Sequence, residues 1–342
     1  MNDGRSGIID NLRFISLVAV IVIHISATAI YLYGKIDISS WLVAHFFDSL
    51  SRFCVPIFIM ISGILLLNKV DGIKDFFIKR LRKIVLPFIF YSFLHILFSY
   101  FILDSSNLPF NILLFIKFVS KMLLTGSSFH FWYVYMIFGL YLMVPILSRW
   151  LQVVETKYIE YYLIVWFFAQ VLQYSSRYYI NAIDLSIFNN YIGYFILGYY
   201  LYYREQSKIF ELKYCIYYMF LGFGITFFGT WSKTVVSGSF SDEFYLYCSP
   251  NIIIFSTGML IFFKKYRIFH NCHKLVKSIS DRSYGIYLIH ILILILLGNF
   301  NIDYNFIHPV LGIPLVTIVC LTISFVLVLL ISKLPFGKYI SG

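Results

Sequence analysis

Long apolar runs, separated by short polar or Gly/Pro-containing breaks, dominate the chain. A helix that spans a bilayer needs about 20 mostly apolar residues, and ten runs come close to that length. Their approximate limits are 12–33, 46–67, 84–103, 129–147, 158–175, 187–203, 214–231, 246–263, 283–298 and 309–332. The pattern predicts an all-α polytopic membrane protein with about ten transmembrane helices.

One further apolar stretch, Asn111 to Leu124, is shorter, and its Lys117 and Lys121 share one helical face. A helix of this kind lies in the membrane interface and does not cross. The connecting segments are short, and no internal repeat is visible. We therefore expect residues 1–342 to form a single membrane domain, without a soluble extracytoplasmic domain.

Composition supports the membrane assignment. The chain is 60% hydrophobic and 13% charged, with a mean hydropathy of +0.83, whereas soluble domains are about 25% charged. A soluble enzyme and a disordered chain are both excluded. The five cysteines are scattered, without a CxxC pair, so we expect no metal site. Nucleophile-elbow, P-loop and dinucleotide-binding motifs are lacking in the sequence.

The net charge of +11 indicates orientation. Membrane proteins collect Lys and Arg on cytoplasmic loops, so the charge gives no reason to expect a nucleic-acid partner. With ten spans and a cytoplasmic N-terminus, all but six of the 27 basic residues fall on the inner side. The exceptions are Lys35, Arg52, Lys117, Lys121, Arg177 and Lys233. We predict that both termini are cytoplasmic.

The first span carries the most informative polar pair, Arg13 and His24. Eleven residues at 100° each bring the two side chains onto one stripe of the helix, and the rise places His24 roughly 16 Å deeper than Arg13. Asp10 falls near the same face and can pair with Arg13. An ionisable side chain at membrane depth usually has a function. The alternative is a histidine bonded to a neighbouring helix and an arginine that anchors the interface.

The second span contains Asp48 and Arg52, an i, i+4 pair near its outer end. These two residues either line an outward-facing mouth or belong to a closely packed helix that also contains Pro56 and the pair Ser62-Gly63.

A basic run, Lys79-Arg80-Leu81-Arg82-Lys83, precedes the third span. Its cations either anchor the cytoplasmic side or recognise phosphate groups, and the sequence alone leaves both readings open.

Three more histidines belong to predicted spans. His130 precedes Trp132 and Tyr133, residues typical of an interfacial aromatic belt, so we expect His130 at the outer surface. His290 is a second imidazole at membrane depth, and His95 lies in an apolar span without an evident partner.

Several stretches, in order along almost the whole chain, carry a family resemblance. They are Ile9-Asp10-Asn11-Leu12-Arg13 with His24, Ser51-Arg52, Val55-Pro56, Met60-Ile61-Ser62-Gly63, Phe129-His130-Phe131-Trp132, Tyr141-Leu142 with Pro145, Tyr245-Leu246-Tyr247-Cys248 with Pro250, and Gly285-Ile286-Tyr287 with His290. The Arg-x10-His pair is the most specific. In these residues the chain resembles the type-3 membrane acyltransferases, a bacterial family that O-acylates cell-surface carbohydrates.

The resemblance implies an inner-membrane enzyme that takes an acyl group, usually acetyl, from cytoplasmic acyl-CoA. The implied acceptor is a hydroxyl of a surface or lipid-linked glycan, and membrane lipid surrounds the protein. His24 would be the catalytic base or a transient acyl carrier, and Arg13 would help to place the donor. The family's basic pattern is Arg-x-x-Arg, whereas this chain has Arg80-x-x-Lys83 with Arg82 between, so the cation that meets the CoA phosphates stays open.

Four residues remain as candidates for substrate binding: Asp48, Arg52, His130 and His290. Two other function classes stay open. A transporter also places ionisable residues at mid-membrane, although the sequence shows no inverted repeat. A structural partner in a polysaccharide-export complex would make the alignment of Arg13 and His24 accidental.

Overall fold

The computed structural model describes residues 2–69, 72–103, 112–179, 191–205, 207–266 and 273–341. All regular structure in these ranges is helical. The helices are α1 Asn2–Ile30, α2 Ile38–Ser51, α3 Cys54–Leu66, α4 Ile73–Arg80, α5 Leu86–Phe98, α6 Ile112–Thr125, α7 Trp132–Val153, α8 Thr156–Tyr179, α9 Ile192–Tyr203, α10 Leu212–Ser237, α11 Pro250–Lys265, α12 His273–Ser280, α13 Ser283–Asn299, α14 Pro309–Ser332 and α15 Gly337–Ile340.

The all-α polytopic class is confirmed. Every predicted apolar run coincides with one or two of these helices, although residues 187–190 lie outside the described part. Among the described residues, seven helical segments are long and apolar enough to cross a membrane, and the bent pair Lys274–Ser280 and Ser283–Asn299 makes an eighth. Helices α8 and α9 are outside that set. The count of ten spans and the orientation therefore stay predictions.

The short amphipathic run forms the helix α6, in which Lys117 and Lys121 are exposed. The second predicted span differs more from expectation. Its helical segment begins at Ile38, well before residue 46, because the Asp37 carboxylate caps α2 by accepting from the Ser40 backbone N–H at 2.8 Å. The hydroxyl of Ser39 and that N–H lower the pKa of Asp37 to about 2. The segment is also interrupted at Arg52 and Phe53, between α2 and α3.

Helix α1 lies at the centre of the bundle and packs against α2, α3, α12, α13 and α14. Its Leu17 and Ile21 are fully buried. Because neighbouring helices enclose α1, the polar side chains on its remaining stripe face the interior of the protein. Arg13 and His24 therefore lie on a helix whose position is fixed by packing against several neighbouring helices.

Glycines let α3 and α9 approach closely. A Cβ atom on Gly63 would lie 1.9 Å from the carbonyl oxygen of Phe195, and one on Gly198 would lie 2.4 Å from that of Met60. Neither distance is sterically possible, so this contact depends on the missing side chains. The close packing that the Ser62-Gly63 pair predicts is present.

Candidate active site

A cavity of about 680 Å³ opens among α1, α3, α7, α13 and the segment that joins α4 to α5. Six cationic side chains of the described residues line it: Arg13, Lys79, Arg80, Arg82, Lys83 and Lys338. Asp281 is the one carboxylate among the described lining residues, and its oxygen Oδ2 lies 3.1 Å from Nζ of Lys277. The cavity is therefore strongly positive.

Local backbone geometry gathers these cations. Helix α4 ends at Arg80 and continues into a π-helical turn, Leu81–Val85, before Pro87 enters the first turn of α5. Arg80, Arg82 and Lys83 all line the cavity in this arrangement. The guanidinium of Arg80 lies 5.5 Å from the ring centroid of Phe76, and its Nε is buried without a hydrogen-bond partner.

Helix α1 connects the basic cavity with His24. Arg13 and Val20 both line the cavity, and His24 follows Val20 by about one turn on the same stripe. His24 itself is absent from the lining. The residue is half-buried, whereas Ile23 and Ile25 on either side are buried.

The structure brings His24 into contact with two other imidazoles. The ring centroids of His24 and His290 lie 5.2 Å apart, those of His24 and His130 lie 6.3 Å apart, and those of His130 and His290 lie 5.2 Å apart. His95 joins the group at 5.4 Å from His130. We call these four residues the histidine cluster. The predicted spans that carry them are far apart in sequence and meet here.

The outer-surface position expected for His130 is wrong. His130 is 1% exposed, whereas its neighbours Phe129 and Trp132 are 69% and 40% exposed. A single 3₁₀ turn, Phe129–Phe131, buries the imidazole while the rings of Phe129 and Trp132 stay exposed. The Tyr287 hydroxyl donates to the His130 carbonyl and ties this turn to α13.

Hydrogen bonds define which nitrogens of the cluster are available. Nδ1 of His290 lies 2.6 Å from the carbonyl oxygen of Tyr287. A carbonyl only accepts, so Nδ1 carries the hydrogen and Nε2 of the neutral ring is an acceptor. The Nε2 atoms of His290 and His130 are both buried without a hydrogen-bond partner. Buried polar atoms in this state are costly, and a polar ligand would satisfy them.

Two tyrosines separate the cavity from the histidine cluster. Tyr133 and Tyr287 line the cavity, and their ring centroids lie 5.5 Å apart. On its other side the ring of Tyr287 contacts His130 at 5.4 Å and His290 at 5.7 Å. The basic cavity therefore reaches the side chains that pack directly on the cluster.

Asp48 and Arg52 form the predicted ion pair, outside the lining of the basic cavity. The guanidinium of Arg52 also lies 4.0 Å from the ring centroid of Tyr245. Asp48 is fully buried, and its Oδ2 has no hydrogen-bond partner. The pair thus has one carboxylate oxygen left to bind a donor.

The sequence analysis did not predict the hydrogen bonds of two buried histidines, His45 and His95. Nδ1 of His45 lies 2.5 Å from the Tyr245 hydroxyl, and Nε2 lies 2.9 Å from the Phe227 carbonyl. Nε2 of His95 donates to the Leu288 carbonyl at 3.0 Å. These partners are far away in sequence, so no local pattern indicates them. Lys338 was also missed as a lining residue.

The Asp10 carboxylate accepts a hydrogen bond from the Ser280 hydroxyl at 2.8 Å. This contact joins α1 to the end of α12 beside the cavity. Among the described residues, no group of three or more His, Cys, Asp or Glu side chains is arranged to hold a metal ion.

Taken together, the fold and the site define a polytopic membrane protein with an internal imidazole cluster next to a cationic cavity. An acyltransferase domain model matches residues 7–329, and the chain belongs to this acyltransferase family. The chain is also similar to a Bacillus subtilis (strain 168) protein named "Putative membrane-bound acyltransferase YfiQ". The two are 25% identical over 299 residues, which cover 82% of this chain and 78% of the relative. No solved structure matches the chain.

Proposed function

We propose that this membrane acyltransferase moves an acyl group, in the first place acetyl, from cytoplasmic acyl-CoA to a hydroxyl group. The proposed acceptor is a cell-surface or lipid-linked glycan, and the proposed location is the bacterial inner membrane. Family membership supports the reaction class. The donor and the acceptor are inferred from the chemistry of the site.

The observation that carries the proposal is the charge of the basic cavity. Among the described residues, six cations and one carboxylate line the cavity of about 680 Å³, and that carboxylate already contacts Lys277. Like charges that line one cavity repel one another, and a bound anion offsets this repulsion. Acyl-CoA has several phosphates on a large polar head, and Arg binds phosphate oxygens in a bidentate manner.

The proposed thioester enters the cavity on the side of the basic run. The phosphates would stay with Arg80, Arg82 and Lys83, while the thin pantetheine arm extends along α1 past Arg13 and Val20. The donor would then pass Tyr133 and Tyr287 to reach His24, about one helical turn beyond the lining. A polyanionic head could not itself cross the apolar interior.

His24 is proposed as the catalytic base. Its imidazole takes the proton of the acceptor hydroxyl while the hydroxyl oxygen attacks the thioester carbonyl. The carbon–sulfur bond then breaks, and the thiolate of CoA takes the proton from the imidazolium. Such base catalysis typically contributes about 100- to 10,000-fold in rate. An acyl-imidazole on His24 is the covalent version of the same chemistry.

The acceptor is proposed to meet the unsatisfied polar atoms around His24. The buried Nε2 atoms of His290 and His130 lack partners, and so does Oδ2 of Asp48. A hydroxyl group both donates and accepts, so a hydroxyl-rich molecule can satisfy these atoms. Arg52, paired with Asp48, would hold that carboxylate in its ionised form and in place.

The test is mass spectrometry of surface glycans from a deletion strain that carries either the wild-type gene or the His24→Ala form. We expect an acyl mass increment to disappear on deletion, to return with the wild type, and to stay absent with His24→Ala. Unchanged glycans would overturn the proposal. Uptake of a solute without dependence on CoA would instead identify a transporter.

A further inference from the structure

The last described residues, 333–341, form a hook that returns from α14 to the basic cavity. We call them the C-terminal hook. They lie beyond residue 329, where the family match ends, so family membership says nothing about their role. Lys338 and Tyr339 of the hook nevertheless line the cavity.

Backbone geometry fixes the hook after α14 ends. Phe336 has a positive φ of 62°, which reverses the chain before the short helix α15. The Gly337 N–H donates to the Leu334 carbonyl at 2.8 Å, and the Ser341 N–H donates to the Gly337 carbonyl at the same distance. A Cβ atom on Gly337 would lie 2.1 Å from the Ile331 carbonyl oxygen, so this position requires glycine.

The hook also docks onto the elements that form the cavity. A Cβ atom on Gly285 of α13 would lie 2.0 Å from the carbonyl oxygen of Ser341. Helix α15 packs against α5 and against the π-helical turn that carries Arg82 and Lys83. The C-terminal hook is therefore packed at the basic side of the cavity, beside two of its cations.

Lys338 has the surroundings of a ligand-binding cation. It is exposed, it faces a cavity with five other cations, and no described carboxylate forms an ion pair with it. A positive charge at this place adds to the repulsion among the cations that line the cavity. The same charge lowers the free energy when a phosphate lies among the cations.

We propose that Lys338 is a further binding residue for the acyl donor and that it contacts a phosphate of CoA. The inference rests on the proposed function, because it takes CoA as the ligand. It adds a residue outside the family match, and it gives the C-terminal hook a role in binding the donor. The hook would contribute to the affinity for the acyl donor and take no part in the chemical step.

The experiment compares purified full-length wild type with Lys338→Gln, using CoA as the titrant. Lys333→Gln is the matched control, because Lys333 belongs to the same hook, is exposed and lies outside the cavity lining. We expect Lys338→Gln to weaken CoA binding roughly three- to tenfold. Lys333→Gln and the charge-conserving Lys338→Arg should bind like the wild type.

Pantetheine, which lacks the phosphates, should show no difference between wild type and Lys338→Gln. Equal CoA affinity in Lys338→Gln and Lys333→Gln would overturn the role of Lys338 and leave the proposed function standing. Failure of the wild type to bind CoA would overturn both. The unfolding temperature of each variant without ligand, which we expect to match the wild type, shows that the hook is still folded.

Discussion

Two arginines, Arg80 and Arg52, lie over aromatic rings in this protein, but they differ in what balances their charge. Arg52 forms an ion pair with the buried Asp48 and packs on Tyr245. Arg80 packs on Phe76, and no described carboxylate pairs with it. Arg80 instead shares a cavity with five other cations.

The comparison distinguishes a charge that stabilises the fold through an ion pair, Arg52, from a charge that can bind an anion, Arg80. The two charges of a buried ion pair balance each other, and the loss of one leaves an isolated buried charge. Cations that line one cavity repel one another, and an anion that binds among them offsets that repulsion. Changes at Arg52 should therefore affect stability, whereas changes at Arg80 should affect binding of the donor.

The largest expected effect is at His24, next to the end of the cavity. We expect His24→Ala to lower acyl transfer by about 100-fold or more, because the base is lost. CoA binding should persist, since His24 does not line the cavity. Turnover and CoA titration of the purified variant measure the two effects separately.

His95→Gln is the matched control for this variant. His95 belongs to the histidine cluster through its contact with His130. Glutamine at this position keeps a donor for the Leu288 carbonyl. We expect this variant to retain transfer. Near-normal turnover in His24→Ala would contradict the assignment of the base.

The double change Arg80→Gln with Lys83→Gln tests the unpaired side of the comparison. We expect the KM for acyl-CoA to rise roughly 10- to 100-fold, because two charge-assisted phosphate contacts are lost. The KM for the acceptor and the unfolding temperature without ligand should change little. Steady-state kinetics with each substrate varied in turn gives the result.

Arg149→Gln with Lys157→Gln is the control pair, since both cations are exposed and outside the cavity. If the control pair raised the KM for acyl-CoA equally, the basic run would only anchor the membrane interface.

Arg52→Gln tests the paired side. We expect it to lower the free energy of unfolding by about 3–5 kcal/mol, because Asp48 is left as an unpaired buried carboxylate. Adding Asp48→Asn should recover much of that loss. Affinity for CoA should be unchanged in both forms. Denaturant unfolding in detergent measures the stability, and a large loss of CoA affinity would remove the distinction between the two arginines.

A smaller effect is expected where no charge is involved. Gly63→Ala places a methyl group against the Phe195 carbonyl and should destabilise the protein by roughly 1–3 kcal/mol. Gly139→Ala is the control, because a Cβ atom there meets nothing within 4 Å. The control should be neutral or stabilising, by up to about 1 kcal/mol. Equal unfolding temperatures in the two variants would show that the contact between α3 and α9 is not tight.

Periodicity and local spacing predicted much of this arrangement. The stripe of α1 that carries Arg13 and His24 follows from the helical repeat, and the Asp48–Arg52 pair follows from its i, i+4 spacing. The apolar runs predicted helices at the observed places. These features depend on residues close together in the chain, where geometry is determined by the helix itself.

Long-range contacts could not be predicted in this way. The position of His130 depends on a single turn and on Tyr287, which is 157 residues away. The hydrogen bonds of His45 to Tyr245 and Phe227 depend on how α2 and α10 pack against the 3₁₀ turn Glu243–Tyr245. Lys338 enters the cavity only because the hook turns back at Phe336. In each case tertiary packing decides which neighbours a side chain has.

The most direct test of the central claim is a titration of the wild-type protein in detergent with CoA and, in parallel, with pantetheine. If the cavity cations bind the phosphates, CoA will bind saturably, its affinity will fall as salt is added, and pantetheine will bind far more weakly. Equal binding of the two compounds, or no binding of CoA at low salt, would contradict the account.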